Sequence, residues 1–150
     1  MRLIGAFTLV SILTIVGGYI NYTYVNKAHD IVMNINTKVV PAQEVVIGLD
    51  EAKTAVQRSE RSMMIPNVSK ADFDVMHEKM QKALSRIDEN VARFEKLPKN
   101  SDQKNAWASV IKSLNTWKPL VLEVADLERQ GRFEEARIMS FGKCSDAYWS

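Results

Sequence analysis

The chain of 150 residues is short of the residue types that most enzymes depend on. Its one cysteine, Cys144, excludes an internal disulfide, a thiolate zinc site and a C-x-x-C-H haem attachment. Its two histidines, His29 and His77, lie far apart, and neither belongs to an H-E-x-x-H motif or a paired-carboxylate context. No G-x-S-x-G elbow, glycine-rich phosphate loop or dinucleotide fingerprint occurs. The sequence therefore implies neither an enzyme nor a bound cofactor. No stretch alternates apolar and polar residues over a useful length, which argues against half-buried strands. Lys and Arg number 20 against 18 Asp and Glu, well mixed, so no basic block invites nucleic acid and no acidic tail suggests disorder.

The most informative absence is local. Between Arg2 and Lys27 there is no charged side chain, and Leu3 to Ile20 is almost wholly apolar. About twenty such residues at ~1.5 Å each span the ~30 Å hydrocarbon core. Tyr19, Tyr22 and Tyr24 stand where amphipathic rings favour the interface. The run is long for a signal-peptide core, and no A-x-A cleavage site follows it. Residues 1–25 thus read as an uncleaved transmembrane anchor. Orientation is not encoded by charge, because Arg2 lies on one side and Lys27 and Lys38 on the other.

The remaining 26–150 read as one all-α domain. Ile65-Pro66-Asn67-Val68-Ser69 and Leu97-Pro98-Lys99-Asn100-Ser101-Asp102 are turns, each a proline followed by helix-capping residues. Gly131 stands where a helix C-terminus wants a left-handed residue. Four helical segments result, at about 26–65, 69–96, 102–130 and 132 onward. The second carries Phe73, Met76, Met80, Leu84, Ile87, Val91 and Phe94 on one stripe. The third carries Trp107, Val110, Leu114, Trp117, Val121 and Val124 at alternating spacings of three and four. The first shows Ile35, Val39, Ala42, Val46, Leu49, Ala52, Val56 and Met63, and the short amphipathic fourth Phe133, Ala136, Arg137, Met139 and Ser140. Such seams pack near-parallel, and short connections make an antiparallel up-down four-helix bundle the economical solution. Pro41 should kink or interrupt the first helix near Lys38, and Pro119 should do the same to the third near Asn115. Trp107 and Trp117 read as core filling, the methionines as helix packing and Cys144 as a small buried residue. The residues from Cys144 to Ser150 look like helix in progress, so the fourth helix is expected to be incomplete at the C-terminus.

A second line runs down the first helix. Met33, Val40, Ile47 and Thr54 recur every seven residues, Arg61 takes the next place, and Arg58 lies one turn before it. At 100° per residue this line lies almost opposite the core stripe through Leu49, Val56 and Met63. It suits a homodimer interface ending at an arginine pair, since two-fold dimers dominate homo-oligomers, the alternative being a solvated arginine pair on a helix face.

The order of features resembles a known family. An anchor runs into a long helix with an early proline in Asn36-Thr37-Lys38-Val39-Val40-Pro41. The stretch Ala55-Val56-Gln57-Arg58-Ser59-Glu60-Arg61-Ser62-Met63-Met64 closes that helix. Phe94-Glu95-Lys96-Leu97-Pro98, Trp107 and a hairpin from Leu127 through Gly131 to Ala136 follow. This is similar to the four-helix-bundle sensory domain of bacterial methyl-accepting chemotaxis receptors. The resemblance implies an inner-membrane protein whose bundle faces the periplasm as a homodimer. It implies a ligand, such as an organic acid, an amino acid or a periplasmic binding protein, near the far end of the bundle. Arg58 and Arg61 sit in the region where acidic-ligand receptors meet a carboxylate, and a guanidinium pair suits that contact. The same input module occurs on sensor histidine kinases and diguanylate cyclases, and a structural bundle with no ligand is the reading from a different class. The turn Gly131-Arg132-Phe133-Glu134-Glu135-Ala136 also resembles a tetratricopeptide hairpin, but no repeat of about 34 residues accompanies it.

Overall fold

A computed structural model describes residues 2–65 and 67–149, and the side chains of 11–65 and 67–147. All described regular structure is helical: α1 (Arg2–Asn34), α2 (Val40–Met63), α3 (Lys70–Glu95), α4 (Ser101–Arg129), α5 (Phe133–Met139) and α6 (Ser145–Trp149). Wider π turns at Ile35–Val39 and Ser140–Cys144 join α1 to α2 and α5 to α6. The chain divides into two compact units, Met1–Pro41 and Ala42–Ser150.

In the first unit, the interruption expected from Pro41 is present as the π turn. Proline has no N–H and its ring crowds the carbonyl four residues back, so the ladder widens just before it. The N–H of Val40 accordingly donates to the carbonyl of Ile35, five residues earlier. Thr23 and Thr37 return their hydroxyls to the backbone of the preceding turn. Among the described residues no helix is long and apolar enough to cross a membrane. The Leu3–Ile20 run expected to do so falls in part on residues 1–10, whose side chains lie outside the described residues.

In the second unit the helices pack with alternating direction. Glu44 faces Arg93 at 3.7 Å and Glu51 faces Arg86 at 3.5 Å, so residue numbers rise on α2 as they fall on α3. Between these pairs Gly48 lies against Asn90, whose amide would stand 3.0 Å from an added Cβ. Asn90 is buried and donates to Arg86 O at 2.9 Å. The same antiparallel relation links α3 to α4. Phe94 stacks on Trp107 with centroids 4.0 Å apart, Asp88 pairs with Lys118, and Arg129 lies over the Phe73 ring at 5.9 Å. The stretch from α5 through α6 returns along α4 as the fourth helix.

The caps follow the sequence signals. Ser69 accepts from Asp72 N at 3.1 Å to start α3, and Asn67 takes a left-handed φ of 65° before it. Pro66 lies outside the described residues. Asn100 and Gln103 form a reciprocal capping box for α4. Gly131, at φ 77°, ends α4, with Gly131 N donating to Glu128 O and Arg132 N to Leu127 O, both at 2.9 Å.

The core contains Leu49, Ala52, Val56, Met63, Met80, Leu84, Ile87, Phe94, Trp107, Leu114, Trp117, Val121 and Val124, as the stripes predict. Five stripe positions are exposed instead: Ile35 and Val39 in the first unit, and Val46, Val110 and Phe133 in the second. Val45 is 1% exposed while Val46 is 53% exposed, because four residues back from Leu49 turns less far from its direction than three. Val110 is 41% exposed, and Ile111 packs on the core beside it. The break expected at Pro119 is absent: α4 runs through it from Ser101 to Arg129. Asn115 and Pro119 are both exposed, so water can take the carbonyl that loses its partner.

Candidate functional site

The chemistry of the second unit concentrates near the end where α2 and α4 terminate. Glu60 lies one turn after Val56 and one before Met63, on the buried stripe of α2. Glu128 lies one turn after Val124, on the seam of α4. Amphipathic packing carries both carboxylates inward with the stripe, leaving Glu60 3% exposed and Glu128 2% exposed. Glu60 Oε1 and both carboxylate oxygens of Glu128 are buried without a hydrogen-bond partner.

Burial without donors disfavours the charged form. The Glu128 carboxyl is pushed up to about 8, first by burial and then by the negative charge of Glu60. Glu60 is also raised by burial, against a hydrogen bond from Ser140 and the positive charge of Arg61. The Cys144 thiol is pushed up to about 12 by burial, with Glu60 and Glu123 adding to the effect.

Glu60 forms part of the wall of a cavity of about 80 Å³. α2 contributes Gln57, Glu60 and Arg61, and α4 contributes Trp117. The fourth helix contributes Ser140, Phe141, Cys144 and Ser145. Three of these four belong to the π turn, and Ser145 N closes that turn on Ser140 O. Such widened turns favour functional sites because they re-aim side chains within a helix. The cavity thus combines a buried carboxyl, an exposed guanidinium, two hydroxyls and an amide. Among the described residues no group of three or more His, Cys, Asp and Glu side chains could hold a metal ion.

The residues expected from the sequence distribute unevenly. Arg58 and Arg61 are both exposed on α2, and Arg61 lines the cavity whereas Arg58 does not. Met33 and Val40 are exposed in the first unit, and the seven-residue step between them spans the π turn. That turn advances less than 100° per residue, so the regular helical line is broken there. In the second unit Ile47 is exposed and Thr54 half-buried. Trp107 and Trp117 lie in the core, and Cys144 is buried.

Glu60 and Glu128 went unrecognised in the sequence, although a signal was present. The spacings that place Leu114, Trp117, Val121 and Val124 on the seam put Glu128 at the next position. The spacing from Val56 to Met63 likewise passes through Glu60. An acidic residue on a core stripe is the feature to look for.

A family model described as a four helix bundle sensory module for signal transduction matches residues 1–146. The chain belongs to this family. No curated protein and no solved structure matches it. In this sensory module the polar cavity lies between α2, Trp117 of α4 and the stretch Ser140–Ser145.

Proposed function

We propose that this sensory module is the input domain of a bacterial chemoreceptor of the methyl-accepting type. It is held in the inner membrane by residues 1–25, with the bundle in the periplasm and a homodimer as the working unit. Its role is binding rather than catalysis. A small organic acid or amino acid, or a periplasmic binding protein, acts near the end where α2 and α4 terminate. The observation that carries this reading is the family match, which runs through the apolar N-terminal stretch as well as the bundle. The polar cavity beside Arg61 supports a ligand site near that end. Bound ligand shifts the helices only as far as its affinities for the two arrangements differ. The same module on a sensor histidine kinase or diguanylate cyclase would bind in the same way and differ downstream.

Calorimetry on the full chain in lipid nanodiscs, titrated with small carboxylates and amino acids, tests the ligand. Saturable heat that disappears in Arg58→Ala or Arg61→Ala is expected. Silence across the panel, with no cross-linking of Val40→Cys or Ile47→Cys chains in membranes, would favour a structural bundle instead. Recovery of the chain from the soluble fraction after cell lysis would remove the anchor.

A further inference from the structure

We propose that the cavity among α2, Trp117 and the π turn Ser140–Cys144 is a binding site for a small primary ammonium group. Glu60 would be its anionic partner, and the proposal rests on the sensory reading above.

Three observations on the same cavity carry it. First, Glu60 is 3% exposed, lines the cavity, and has an oxygen, Oε1, with no donor. Behind it Glu128 buries two more oxygens without donors. Uncompensated carboxylates in a protein interior are costly and normally occur with a cation or a proton. Second, the remaining polar lining suits a donor with several N–H groups. The hydroxyls of Ser140 and Ser145 and the carboxamide oxygen of Gln57 can each accept one. No third His, Cys, Asp or Glu joins the two carboxylates in a metal-holding geometry among the described residues. A directional N–H donor therefore fits better than a metal ion, which requires a fuller set of oxygen ligands. Third, size and rim charge restrict the rest of the ligand. About 80 Å³ is roughly half the 150 Å³ that accommodates benzene, so three or four heavy atoms fill it. Arg61 at the wall repels a second positive charge and tolerates a neutral or anionic tail. The ligand class is thus a monoamine about the size of ethylamine or ethanolamine, and not a diamine.

The test is calorimetry on the full chain in nanodiscs at pH 7.5. The probes are ethanolamine, ethylammonium, ethylenediamine, tetramethylammonium and acetate. Saturable binding of the first two is expected, at least about tenfold tighter than ethylenediamine, with none for tetramethylammonium, which has no N–H. Glu60→Gln should weaken ethanolamine about tenfold or more. Ser145→Leu, which adds bulk at the cavity wall, should do the same, and melting curves report whether each variant folds. Absence of amine binding in the folded wild type, or unchanged affinity in both folded variants, overturns the site. Carboxylate binding lost in Arg61→Ala, with no amine binding, overturns the amine site and leaves the sensory reading standing. Silence toward amines and carboxylates together overturns this site and removes the support the cavity lends to that reading.

Discussion

The stability of the bundle should fall as pH rises across neutrality, and Glu128 should be the main cause. A free Glu loses its proton near 4.5, whereas folded Glu128 holds it to about 8. Between those values the native state binds the proton and the unfolded state does not, so each pH unit costs about 1.4 kcal/mol of unfolding free energy. The stability is fully present below pH 4.5 and lost by pH 8, a total of roughly 5 kcal/mol. Domains of this kind have only about 5–15 kcal/mol to lose. Glu60, which faces Glu128 from α2 and is also raised, acts in the same direction. Glu128→Gln keeps the shape and removes the titration, so its stability should vary far less between pH 5 and 8.5. Urea unfolding of the full chain in detergent, followed by helical circular dichroism at half-unit pH steps, measures both slopes. A flat wild-type profile, or an equal slope in Glu128→Gln, would refute the reasoning.

Three further outcomes follow from the packing. Gly48→Ala would gain about 1 kcal/mol on an open helix, but its Cβ meets the Asn90 amide at 3.0 Å, so urea titrations should show a net loss of about 1 kcal/mol. In an Asn90→Ala background the same change should become stabilising, giving a coupling of about 2 kcal/mol in a double-mutant cycle. The Cys144 thiol, pushed up to about 12 and buried, should resist a disulfide-exchange reagent at pH 8. Its labelling should rise only as urea unfolds the chain, and rapid labelling of the native protein would contradict the packing. Gly131→Ala places a Cβ on a left-handed residue at φ 77° and should cost about 1 kcal/mol by the same urea titration.

Much of the fold was legible because its determinants are local. Apolar spacing on α3 and α4 identifies the buried faces of those helices, and Ser69, Asn100 and Gly131 mark ends where backbone groups would otherwise lack partners. Pro41 announced its interruption because a missing donor acts wherever it is placed. The choice of Val45 over Val46 was not legible, since both are valines at admissible angles and the position of α3 decides between them. The π turn at Ser140–Cys144 has no proline to mark it, and no residue in Ser140-Phe141-Gly142-Lys143-Cys144 announces it.

The site was half legible for a related reason. Arg58 and Arg61 drew notice as a charged pair near a helix end, but only Arg61 reaches the cavity, because three residues rotate an α-helix by about 300°. Glu60 and Glu128 escaped notice because a glutamate at a helix end usually reaches water. Here Glu60 lies within the α2 stripe between Val56 and Met63, Glu128 lies one turn past Val124 on α4, and the helices carry both carboxylates inward together. Neither residue alone would mark a site, since a protonated glutamate can lie in a core at modest cost. Two of them with three oxygens lacking donors, one lining a cavity beside an arginine, leave an electrostatic demand that Ser140 and Arg61 meet only in part. A sensory module can use such a demand, because meeting it from outside favours whichever helix arrangement brings the donor closest to Glu60.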